Sequence, residues 1–112
     1  MKAGYSIWIS NEKGHRIFGL GPYQLLKCIE EQGSLNKAAK DMGISYTKAF
    51  NILKRAEEEL NMTLIERVVG GVHGGGSKVT SDGEKLLEKF ESYRTQCVDS
   101  IEKIYKEVFS DL

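Results

Sequence analysis

The sequence is poor in the residues that build covalent, metal-held or catalytic sites. It has two cysteines, Cys28 and Cys97, too few for a disulfide framework and without metal-ligand spacing. On predicted helices they read as small packed hydrophobes. No metal and no cofactor is expected. Its two histidines, His15 and His73, fall near predicted hairpin tips with no acid at a fixed spacing, and read as surface residues. No apolar run approaches eighteen residues, which excludes a membrane-spanning helix. Met1 to Trp8 holds one lysine and no apolar stretch of secretory length, so a cytoplasmic protein is expected. Gly71 to Lys78 has the glycines of a phosphate-binding loop, but that loop needs Gly-Lys-Ser/Thr and a following helix. Here the order is Ser77-Lys78, before a predicted strand. A dinucleotide fingerprint fails because Gly19 and Gly21 lack a third glycine at position 24. No enzyme is expected. Net charge is missing too: sixteen Lys and Arg balance sixteen Asp and Glu.

What is present is an ordinary globular composition, 40% hydrophobic and 29% charged over 112 residues, enough for one small domain with one appended element. The charge is unevenly placed. Residues 1–80 carry eleven basic and eight acidic side chains, and residues 81–112 carry five and eight. Within 35–55, Lys37, Lys40, Lys48, Lys54 and Arg55 face a single acid, Asp41. Local charge sets the field a ligand meets, although a basic helical stretch is also readable as a solvated face.

The residue pattern predicts a mainly α fold with a little β. Tyr5–Ser10 and His15–Phe18 flank the turn cluster Asn11–Gly14 and predict an N-terminal hairpin. Gly21-Pro22 opens a first helix with Leu25, Leu26 and Ile29 on one face, and Gly33 ends it. Ser34 caps a second helix, whose apolar face is Leu35, Ala38, Ala39 and Met42. After Gly43-Ile44, Ser45 caps a third helix running to Leu60. In that helix Ala49, Leu53, Ala56 and Leu60 form a core stripe. Thr47, Asn51, Lys54 and Glu58 run two residues, about 200°, out of phase and point outward, flanked by Lys48 and Arg55. Leu64–Val69 and Ser77–Thr80 predict two strands around a tip with five of the twelve glycines. Ser81 and Glu84 have the spacing of a capping box for a helix from about 82 to 109. Its apolar ridge is Leu86, Phe90, Tyr93, Cys97, Ile101, Ile104 and Val108. Such a helix, about 42 Å long at 1.5 Å per residue, overhangs the rest of the chain, so its ridge is expected to pair with a second copy. The division expected is a winged helix-turn-helix over 1–80, its wing at about 64–80, and a dimerisation helix over 81–112.

Two short helices joined at a glycine, then a glycine-tipped hairpin, suit double-stranded DNA. The major groove admits one helix, and groups near its N-terminus reach base edges. Ser45, Tyr46, Thr47, Lys48 and Asn51 supply the donors, acceptors and apolar contacts. Backbone phosphates are expected to meet Ser34, Lys37, Lys54 and Arg55, and on the wing Arg67, Lys78 and the amides of Gly74, Gly75 and Gly76. The same fold also serves as a protein-interaction adaptor that binds no DNA; a steep loss of duplex affinity with salt separates the two.

From Gly33 to Phe90 the sequence resembles the N-terminal domain of the molybdate-dependent (ModE-like) transcriptional regulators, a branch related to the LysR type. The residues that carry this are Gly33-Ser34-Leu35, Ala38-Ala39-Lys40-Asp41, Gly43-Ile44-Ser45-Tyr46, Leu64-Ile65-Glu66-Arg67, Gly70-Gly71, Gly74-Gly75-Gly76, Thr80 and Gly83-Glu84. The resemblance implies a homodimeric DNA-binding protein that reads its site with the third helix and the wing. Val72-His73 stands at the wing tip where more basic character is expected, a departure that either weakens phosphate contact there or leaves His73 to supply charge when protonated. Members of that family also carry C-terminal domains that bind molybdate or tungstate. This sequence stops at Leu112, so an oxyanion effector is left open.

Overall fold

The computed structural model describes residues 1–69 and 76–112. The element order is β1 (Trp8–Ser10), β2 (Arg16–Gly19), α1 (Leu20–Gln32), α2 (Leu35–Asp41), α3 (Tyr46–Leu60), β3 (Ile65–Val68), β4 (Gly76–Val79) and α4 (Ser81–Val108). The strands form two antiparallel hairpins, β1–β2 and β3–β4. This is a winged helix-turn-helix preceded by a hairpin and followed by one long helix. Gly74 and Gly75, and with them His73, lie outside the described residues.

The first hairpin is closed by Asn11, whose Oδ1 accepts from the amides of Lys13 and His15, both at 3.0 Å. Its register pairs Ile9 with Phe18 and slips by a residue before Ser10. The slip accompanies Arg16 lying over the Trp8 ring, 3.6 Å from its centroid. Pro22 falls in the first turn of α1, where its missing N–H has no helical partner to lose. Gly33 ends α1 with φ +70°, and its amide donates to Ile29 O at 2.8 Å.

Phe18, Leu25, Leu26, Ile29, Leu53, Leu64 and Phe90 are the largest fully buried side chains. The alanines Ala38, Ala39, Ala49 and Ala56 are buried beside them, which lets α2 and α3 approach closely. Phe90 meets Phe18 edge-on, centroids 5.2 Å apart at 81°, and lies 5.7 Å from the Tyr23 ring. Tyr23 donates to Glu91 Oε2 at 2.9 Å. Burial first, and Glu91 second, push the Tyr23 hydroxyl above its usual pKa. Burial likewise pushes the Cys28 thiol up, which leaves it a packed thiol rather than a reactive thiolate.

The start of α4 differs from the expected capping box. The capping residue is Thr80, not Ser81: its Oγ1 accepts from Gly83 N at 3.0 Å and donates to Thr63 O. The second bond explains the one-residue difference. Thr80 closes the hairpin and starts the helix with one hydroxyl, a double use that local spacing does not reveal.

Two glycines hold the wing in place through close approach. A Cβ on Gly76 would collide with the Gly33 carbonyl oxygen, which also accepts from Ser77 N at 2.9 Å. Gly76 is therefore a strand residue, paired with Val68 in the last rung before the loop and packed against the end of α1. A Cβ on Gly83 would lie 2.6 Å from Leu64 O and 2.7 Å from Val79 Cγ1. Leu64 O is pinned by Thr80 N at 2.9 Å, so it cannot yield cheaply. Gly83→Ala is expected to destabilise by about 1–3 kcal/mol from overpacking, despite the better helix propensity of alanine. Thermal unfolding should read this as a fall in Tm of roughly 4–8 °C per kcal/mol.

Beyond Phe90, α4 leaves the core. Leu86 and Phe90, two members of the expected pairing ridge, are turned into the chain's own interior at 8% and 1% exposure. They face inward because the first turns of α4 fill the space against β2 and α1. The ridge offered to the outside is therefore Tyr93, Cys97, Ile101, Ile104 and Val108. Tyr93, Ile104 and Val108 are exposed, and Cys97 and Ile101 half-buried. The long axis of the chain reaches 61 Å against 29 and 24 Å across, and the free part of α4 accounts for the excess.

Candidate nucleic-acid interface

α3 separates its residues by face as the steps along it require. Ala49, Leu53 and Ala56 are buried, while Thr47, Lys48, Asn51, Lys54, Arg55 and Glu58 are all exposed. A hydroxyl, an ammonium and an amide therefore stand together on the outer surface of its first two turns. Ser45 is exposed too, but its Oγ accepts from Lys48 N at 3.0 Å as the helix cap. Its hydroxyl proton and one lone pair are left to face outward. Ser34 is engaged in the same way with Lys37 N, at 3.2 Å.

The far end of α3 is locked to the wing. Glu57 Oε2 accepts from Leu64 N at 2.7 Å and Ile65 N at 3.4 Å, which fixes the angle between the helix and β3. With β4 anchored to Gly33, the wing stands beside the α1–α2 corner and encloses a cleft of about 640 Å³. Lys37, Ser34, Ser77 and Lys78 line it. A neighbouring recess of about 270 Å³ is bordered by Ser34, Asn36, Tyr46 and Arg67. A third, of about 200 Å³, is bordered by Tyr46, Phe50, Lys54 and Arg67.

Ser34, Lys37, Lys54, Arg67 and Lys78 thus line a hollow made of three adjoining recesses between α2, α3 and the wing, neighbouring recesses sharing Ser77. Arg55 does not. It lines a different cavity, of about 420 Å³, with Trp8, Arg16 and Arg94 on the side of the N-terminal hairpin. Among the described residues the ion pair is Lys27–Glu30, at 3.5 Å, so none of the cations around the hollow is held in one. Carboxylates share these recesses, Glu30 and Glu84 with Lys37 and Lys78, and Glu57 and Glu66 with Lys54 and Arg67, so the lining is of mixed charge, beside a helix whose outer face carries Lys48 and Lys54.

Phe50 belongs to this surface although its residue type does not suggest a polar site. It is exposed on α3 and stacked on Tyr46, rings 6.3 Å apart at 20°. The sequence signal for it is an aromatic pair at i and i+4, the spacing that brings side chains into contact on a helix.

Residues 21–84 match the family described as bacterial regulatory helix-turn-helix protein, lysR family. Over 67 residues the chain is 37% identical to the DNA-binding transcriptional dual regulator ModE of Escherichia coli K12, covering 60% of this chain and 26% of that protein. The chain thus spans about a quarter of the length of that relative. Among solved structures, its fold is similar to the CbnR DNA-binding domain in complex with DNA, at a TM-score of 0.60 and 19% identity over 79% of this chain and 95% of that one. It is also similar to the BenM DNA-binding domain in complex with benA site 1 DNA, at 0.56 and 23% over 79% and 92%.

Proposed function

Because the chain belongs to the lysR family of bacterial regulatory helix-turn-helix proteins, we propose that it is a non-catalytic transcriptional regulator that binds duplex DNA as a homodimer. One observation carries this: Thr47, Lys48 and Asn51 stand exposed on α3 beside a hollow whose lining includes Lys37, Lys78 and Arg67. α3 enters the major groove, where asparagine pairs with adenine and lysine donates to guanine. The phosphate strand beside it runs into the hollow and meets Lys37, Lys54, Arg67 and Lys78, which position the protein without reading sequence.

Residues 1–80, completed by the buried first turns of α4, act as the DNA-binding unit, and the rest of α4 supplies the pairing surface. Tyr93, Cys97, Ile101, Ile104 and Val108 lie along one side of a helix end that no other part of the described chain covers. A second copy brought there places two α3 helices for successive major grooves. No helix among the described residues is long and apolar enough to cross a membrane, and a cytoplasmic location accompanies this role.

Selection of bound sites from random duplexes tests the reading. A near-palindromic site with half-sites about 34 Å, one helical turn, apart is expected. Recovery of unrelated sequences, or of single half-sites without a fixed spacing, would count against a dimeric, sequence-reading protein.

A further inference from the structure

Tyr46 and Phe50 remain unexplained by the polar readout of α3. Each is a little under half exposed, 48% and 45%, and the rings lie nearly parallel. The core does not require them, since Ala49, Leu53 and Ala56 already face inward. Helix propensity does not favour them, because tyrosine and phenylalanine rank below alanine, leucine and lysine. Phe50 lies about 100° of helix rotation from Asn51, on the shoulder that faces the wing, where it borders a recess with Lys54, Arg67, Glu57 and Glu66; Glu57 is turned to the amides of Leu64 and Ile65. The pair is therefore a flat apolar ledge set between an amide that suits a base edge and cations that suit phosphates.

A partner that meets both the ledge and the cations beside it is apolar at one point and anionic around it. DNA offers one such point in the major groove, the C5-methyl of thymine, and phenylalanine is among the side chains that contact it. We propose that Phe50, held flat against Tyr46, is a specificity residue that reads a thymine methyl at the wing-side edge of the groove. The inference rests on the duplex-binding reading above and deepens it.

The test alters the DNA before the protein. In the site obtained from random duplexes, each thymine is replaced in turn by deoxyuridine, which removes one methyl and nothing else. The expected result is one position per half-site at which the substitution weakens binding about fourfold, the worth of one buried methylene-sized group. Phe50→Ala should bind the thymine duplex less well and lose the thymine–uracil difference at that position. Phe50→Leu should keep part of it. Far-UV circular dichroism checks that both variants fold, which the exposure of Phe50 favours.

Equal binding of thymine and uracil duplexes at every position overturns the inference while leaving DNA binding intact. So does discrimination that survives Phe50→Ala, since the ring would then be resting on a sugar or on nothing. Failure to bind any duplex at low salt overturns the DNA reading itself, and this inference with it.

Discussion

Replacing Phe90 with alanine should cost the fold about 3–5 kcal/mol, more than the Gly83→Ala change at the start of the same helix. Phe90 is 1% exposed and ties three elements together. Its ring meets Phe18 of β2 edge-on and the Tyr23 ring of α1, and it belongs to α4. The space it leaves cannot close by movement of one element alone. Tyr23 is tied to Glu91, and the start of α4 is tied to Thr63 and Leu64 through Thr80. The full cavity cost is therefore expected rather than the lower end of the range. A domain of this size is typically stable by roughly 5–15 kcal/mol, so a third or more of that stability is at stake. Chemical denaturation followed by helical ellipticity would show a lower midpoint with an unchanged slope. A midpoint within a few tenths molar urea of the parent would mean that α4 swings in to fill the gap, against the bonding that fixes it.

The helix-turn-helix is legible because its signals are local. Ser34 and Ser45 cap the helices they precede, Gly33 takes up the left-handed backbone after α1, and the four-three-four steps of Ala49, Leu53, Ala56 and Leu60 name the inner face of α3. What stays hidden depends on parts distant in sequence. Gly76 reads as a wing-tip glycine because glycines cluster there, yet its role is fixed by the Gly33 carbonyl forty-three residues away. Spacing favours Ser81 over Thr80 as the cap of α4, because the Thr80 bond to Thr63 crosses the wing. Leu86 and Phe90 share the spacing of Tyr93 and Ile104, and periodicity cannot tell where along one ridge the core ends. The hollow is only half legible. Its cations can be picked out one by one, but Arg55 falls apart from them because, about 100° round α3 from Lys54, it faces the N-terminal hairpin, whose packing on α3 is a long-range contact.

That separation bears on the prediction with the largest effect on binding. Lys48→Ala and Asn51→Ala should each weaken the selected site by about 1–3 kcal/mol per half-site, roughly five- to 150-fold for each copy, and relax preference at the base each one faces. Against random duplexes they should change little, because their partners are base edges and not phosphates. Lys37→Ala and Arg67→Ala should weaken selected and random duplexes by the same factor. Each phosphate contact adds about 0.9 to the slope of log affinity against log salt. A homodimer loses two contacts per substitution, so the slope should fall by roughly two rather than one. The same titration thus reports both the role of the residue and the number of copies on the DNA. Arg55→Ala should leave the slope closer to the parent's, since it stands apart from the hollow proposed for the phosphate strand. If all four substitutions on α3, α2 and the wing change selected and random binding in the same ratio, the division between reading and positioning residues is wrong. An unchanged slope for Lys37→Ala and Arg67→Ala would place the phosphate strand elsewhere on the molecule.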